Sequence, residues 1–140
     1  PVWASHNNCR ALVPDSRQFS DEQIRALIQR GAVIGVAFDA WMMHPGWIRG
    51  QTTPTAAGLK IECIVEHIDH ICQLAGNARH CGIGSDLDGG YGREQCPEDL
   101  GTIADLQRLT GLLAARGYAP PDIEAVLHGN WIRRLNEIWA

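Results

Sequence analysis

No apolar stretch in this sequence approaches the roughly 18 residues that a membrane-crossing helix needs, and no signal-peptide pattern is visible within it. No Lys/Arg-rich run occurs either. Twelve basic side chains stand against sixteen acidic ones, for a net charge of −4. Nucleic acid and anionic membrane surfaces are thereby set aside as main partners. No CxxC pair is present, and the five cysteines, Cys9, Cys63, Cys72, Cys81 and Cys96, are odd in number and loosely spaced. Free buried thiols are expected rather than a disulfide framework or a Cys-type zinc site. A reducing, cytoplasmic setting is the corresponding expectation. Phosphate-cradling loops of the GxxxxGK or GxGxxG type are missing. No repeat, low-complexity tract or linker divides the chain, so residues 1–140 are read as a single unit.

The elements that are present alternate. Val2–Ser5 is a short apolar run that ends at His6. Ser20-Asp-Glu-Gln23 forms a capping box ahead of Ile24, Leu27 and Ile28, and Gly31 stops that helix. Ala32–Phe38 is continuously apolar, as in a strand buried on both faces. Asp39–Gly58 reads as a long loop. Leu59–Ala75 is an amphipathic helix closed by Gly76, and Cys81–Ser85 is the next strand. A helix is expected near Glu98–Arg116, a short one after Pro120, and a last one over Asn130–Trp139, with Trp131, Ile132, Leu135, Ile138 and Trp139 on its core face. This βα alternation predicts a parallel sheet with crossover helices.

Ligands collect at the C-terminal ends of strands in such folds. The three predicted strands end at His6, Asp39 and Asp86. The last of them runs out in CGIGSDLDGG, where glycines free the backbone beside two carboxylates. A histidine and two aspartates on one rim suit a metal or an acid–base pair. They also suit plain capping of neighbouring loops. Asp86-Leu-Asp88-Gly opens like a calcium loop, but Gly90 and Pro97 fall where further ligands are needed. His67 and His70 share a helix face with Glu66 and Asp69, which reads as a polar stripe more readily than as a metal face. Nothing marks Cys9 as a nucleophile.

SHNNCRALVPDSRQFSDEQIRAL, AVIGVAFDAW, HIDHICQLAGNARHCGIGSDLDGG and RGYAPPDIEAVLHGNWIRRL together resemble the C-terminal part of the membrane dipeptidase (renal dipeptidase-like) family, in its microbial branch. The resemblance covers nearly the whole chain. It implies a TIM-like (β/α)8 barrel, of which this chain would form about three βα units plus terminal helices. It also implies a binuclear zinc centre bridged by a glutamate, and a dipeptide as substrate. Carried over by motif, His6 in SHNN matches a zinc-ligating histidine. Arg17 in SRQF matches the arginine that binds the substrate carboxylate or the tetrahedral intermediate. Asp86 in GSDLDGG matches the aspartate that orients the attacking water and shuttles a proton, and Asp88 is expected to brace the loop. Zinc ions generate hydroxide near neutral pH and polarise a carbonyl, and an arginine fork suits a carboxylate or oxyanion.

The loop DAWMMHPGW departs from the animal members, which place a tyrosine near the substrate, and His44 lies within it. The family's HxD zinc pair, bridging glutamate and remaining zinc histidine are not in this sequence. The expectation is a chain that opens at the sixth barrel strand, binds zinc poorly alone, and associates with itself or with the N-terminal barrel part. Two other readings stand beside it. One is a non-catalytic α/β fragment or relic. The other is an amidohydrolase acting on another amide or lactone.

Overall fold

The structure is a computed structural model and describes residues 2–140. Helix α1 (Asp21–Gln29) begins at the expected capping box: Ser20 Oγ accepts from Gln23 N–H, and the Gln23 side chain accepts from Ser20 N–H. Strand β1 (Ile34–Val36) is wholly buried. It is followed by two four-residue helices, α2 (Ala40–Met43) and α3 (Pro54–Ala57), inside the stretch expected to be loop. A single turn has no periodicity to display. The signal for α3 is instead local: Thr53 caps it, Pro54 opens it, and Gly58 closes it with φ 61°. Helix α4 (Cys63–Ala75) ends at Gly76, as predicted, and strand β2 (Cys81–Ile83) follows.

β1 and β2 pair in parallel with Ile34 opposite Cys81 and Val36 opposite Ile83. The ladder continues past both strands through Ile34 N to His80 O (2.9 Å) and Phe38 N to Ser85 O (2.9 Å). Ile64, Ile68 and Ile71 of α4 are fully buried with Ile34, Phe38, Leu59 and Ile61, so the helix lies on the sheet by its apolar stripe.

The first predicted strand is reduced to one parallel bridge, Ala4 to Ile34. Ala4 N donates to Val33 O, and Gly35 N donates to Ala4 O. The Ser5 carbonyl oxygen then sits where a Cβ on Gly35 or Gly84 would have to go. Beyond it a side chain replaces the strand. Asn8 Oδ1 accepts from Ala37 N–H (2.8 Å), and Asn8 Nδ2 donates to Ala37 O (2.9 Å) and Met42 O (3.0 Å). The ladder partners of β1 are therefore satisfied without a regular strand.

The helix expected from Glu98 starts later. A capping box at Thr102 and Asp105 opens a 3-10 stretch, Ile103–Arg108, which leads into α5 (Leu109–Ala115). Helix α6 (Pro120–Glu124) runs through a π turn, Ala125–Gly129, into α7 (Asn130–Trp139). Of the predicted core face of α7, Trp131, Leu135 and Ile138 are half-buried at i, i+4 and i+7, and the inward stripe is narrower than expected. Ile132 and Trp139 are exposed, whereas Asn130 is buried. Asn130 Nδ2 donates to Ala78 O (2.7 Å) and Cys81 O (2.8 Å), and Trp131 Nε1 donates to Ile83 O (3.0 Å). Trp131 lies against Gly82, where no Cβ would fit. In urea unfolding, Asn130→Ala should lower stability by about 2–3 kcal/mol, because it leaves two buried carbonyls unpaired.

Candidate active-site rim

Three backbone segments reach the C-terminal edge of the sheet at one level. The bond from Phe38 N to Ser85 O makes Asp39 and Asp86 leave β1 and β2 side by side. Asn7 N donates to Gly35 O (2.7 Å), which brings His6 to the same edge.

His6 is half-buried, with Nδ1 2.8 Å from Ser5 Oγ. Arg17 is exposed, and its Nη2 donates to the His6 carbonyl (3.3 Å). The structure thus joins His6 and Arg17, which lie eleven residues apart in sequence. Asp15 Oδ1 accepts from Arg17 N–H and shapes that turn.

Asp86 has φ 62°, and among the described residues no other non-glycine has positive φ. An L-residue held there is strained, and such strain gathers at functional sites. A Cβ on Gly89 would collide with Asp86 Oδ1 and crowd the Tyr91 ring, so the glycine lets the carboxylate and the phenol share its space. Asp88, expected to brace the loop, is exposed.

Asp39 is nearly fully buried, and Oδ2 accepts from Trp41 Nε1 (2.7 Å) and pairs with Arg49 Nη2 (3.4 Å). Burial raises its pKa above the ordinary carboxylate value. Trp41 and Arg49 oppose that, and the charge of Asp86 adds to it. Tyr91 is pushed up by burial and by the charges of Asp39, Cys96, Asp86 and Asp88, so its phenol stays neutral. Asp39 Oδ1, Trp47 Nε1 and Tyr91 OH are buried without hydrogen-bond partners among the described residues. Beside the Asp86 loop opens a cavity of about 590 Å3, lined by Ser85, Leu87, Tyr91, Arg93 and Ile103 among others.

Arg49, Trp41 and Tyr91 escaped the sequence reading. They lie in loops with no period, and only their proximity to Asp39 or Asp86 marks them. His44 makes an edge contact with Trp47, with ring centroids 6.5 Å apart.

Among the described residues no three His, Cys, Asp or Glu side chains are grouped so as to hold a metal ion. The His67 and His70 pair has a structural explanation. His67 Nδ1 accepts from Cys9 N–H (3.1 Å), and His70 Nε2 lies 2.8 Å from Asp21 Oδ1. The five cysteines are free, and burial pushes the Cys9 thiol up to about 12, too high for a nucleophile near neutral pH.

Burial, followed by the neighbouring His70, lowers the His67 pKa from 6.5 to about 4. The unfolded chain takes up a proton that the folded state refuses. The stabilisation is therefore complete above about pH 6.5 and is lost as pH falls toward about 4, on the order of 3 kcal/mol. Urea midpoints measured across that range should fall with pH, and His67→Leu should flatten the fall.

Among the described residues no helix is long and apolar enough to cross a membrane. The sequence matches the family model described as Membrane dipeptidase (Peptidase family M19) over residues 1–139. It is 35% identical over 139 residues to an uncharacterized protein in the pqqA 5' region of Klebsiella pneumoniae, covering 99% of this chain and 47% of that protein. It is 28% identical over 141 residues to Dipeptidase tcpJ of Claviceps purpurea, covering 99% of this chain and 29% of that protein. The fold matches the crystal structure of an amidohydrolase from Pseudomonas aeruginosa with a TM-score of 0.78 at 23% identity, covering 99% of this chain and 46% of that one. The chain spans about half or less of the length of these proteins.

Proposed function

The chain belongs to the membrane dipeptidase family, peptidase family M19, and from that premise we propose that it supplies the C-terminal part of a zinc-dependent dipeptidase site, as about three βα units of a (β/α)8 barrel. The observation that carries this reading is Asp86, held at φ 62° at the end of β2 beside Asp39. A strained carboxylate at a strand end is where this architecture keeps its reacting groups.

In this reading Asp86 accepts a proton from the attacking water and returns it to the leaving amine. Arg17 offers its guanidinium fork to the substrate carboxylate or to the tetrahedral intermediate. His6 contributes one zinc ligand through Nε2, since Nδ1 faces Ser5 Oγ. Further ligands come from outside this chain, and association with the N-terminal barrel part supplies them. The five free thiols support a reducing, cytoplasmic setting.

The test is turnover. The full-length protein should hydrolyse unmodified dipeptides, lose that activity on chelation, and regain it with zinc. Hydrolysis of other amides or lactones with dipeptides untouched would move the reading to a different amidohydrolase.

A further inference from the structure

The loop after β1 carries an arginine whose position is fixed twice. Arg49 Nη2 lies 3.4 Å from Asp39 Oδ2, and its guanidinium carbon lies 5.1 Å from the centroid of the Trp41 ring. The Arg49 side chain is 62% exposed and the Asp39 side chain only 5%. Among the described residues Arg49 makes no other hydrogen bond. An exposed arginine ordinarily loses side-chain freedom when it forms an ion pair and gains little from it. Here a buried carboxylate and an aromatic face hold the guanidinium before any ligand arrives, which lowers the cost of binding one. Most of its five donors still face solvent from a defined plane.

Its location gives the arrangement a purpose. Asp39 sits at the strand end next to Asp86, so Arg49 stands on the β1 side of the rim. Arg17 stands on the other side, against the His6 carbonyl. Every dipeptide brings one terminal carboxylate, and the function proposed above gives that group or its transition state to Arg17. A second guanidinium flanking the same carboxylates serves a second anion. Asp39 is too buried to meet substrate and already holds Arg49, so the rim does not offer a cation site there.

We infer that Arg49, oriented by Asp39 and Trp41, is a substrate-binding residue that receives a second carboxylate and so favours dipeptides with an acidic side chain. This rests on the dipeptidase reading. A planar, singly charged carboxylate matches one guanidinium partly neutralised by Asp39.

The experiment compares kcat/KM of the full-length protein on Ala-Asp against Ala-Asn, and on Ala-Glu against Ala-Gln. The wild type should prefer the acidic member by about tenfold, the scale of one charge-assisted contact. In Arg49→Met the acidic-to-neutral ratio should fall toward one, and in Arg49→Lys, which keeps the charge and loses the fork, it should be intermediate. A wild-type ratio of one or below, or a ratio unchanged in Arg49→Met, would overturn the inference while leaving the dipeptidase reading in place. No turnover on any of these dipeptides would remove both.

Discussion

Asp86→Asn in the full-length protein should lower kcat by about 10²- to 10⁴-fold, the usual contribution of a positioned acid–base group. The substitution isolates the chemistry. Asp86 adopts φ 62°, and asparagine tolerates the left-handed region about as well as aspartate. The loop around Gly89 should therefore hold its shape, and only proton transfer is lost. Asp86→Ala would mix that loss with backbone strain of about 1–2 kcal/mol. Steady-state kinetics with zinc analysis of the same sample separates the outcomes. Low turnover with nearly unchanged zinc fits a proton shuttle. Turnover equal to wild type would take Asp86 out of the mechanism.

Asn8→Ala should have the largest effect on stability. The Asn8 amide binds both the N–H and the carbonyl of Ala37 and also the Met42 carbonyl, all in fully buried surroundings. Removing it leaves the N–H and the carbonyl of Ala37 unpaired, at about 1–3 kcal/mol each before relaxation, and leaves the Met42 carbonyl only the longer bond from Gln18 Nε2 (3.4 Å). A loss of at least about 3 kcal/mol in urea unfolding is expected. Function should suffer with it, because the Asn8 side chain ties the segment that carries His6 to Ala37 and Met42. Asn8→Asp is a sharper version. It keeps the acceptor for Ala37 N–H, but turns the donor side into a carboxylate facing two carbonyls. A variant as stable as wild type would show that the side chain does not stand in for the missing strand.

These cases indicate how far the chain could be read from its residues. α1, β1, α4 and β2 were legible because each is long or apolar enough to show a period, and because Ser20, Gly31 and Gly76 mark their ends. The first strand was legible only in part, since Ala4 and Asn7 bond to β1 and its flank through the backbone, while beyond them the Asn8 side chain takes the N–H and carbonyl of Ala37, and a side chain mimicking a peptide has no pattern. The inward face of α7 was legible in Trp131, Leu135 and Ile138 but not at its margins, where Ile132 and Trp139 stay exposed because the inward stripe is narrow. The placement of His6, Asp39 and Asp86 on one rim followed from strand ends alone. Arg49 and Trp41 did not, because what joins them to Asp39 is the path of a loop, and a buried carboxylate selects its partner by space rather than by spacing in sequence.

In the proposed function this chain holds part of a two-zinc site and not the whole of it. The direct measurement is bound zinc per molecule, on the full-length protein and on residues 1–140 alone, after dialysis against trace zinc. Tight, stoichiometric zinc on the full-length protein, falling in His6→Ala, with none retained by residues 1–140, is the predicted result. Stoichiometric zinc on residues 1–140 alone, or full-length zinc content indifferent to His6, would contradict it.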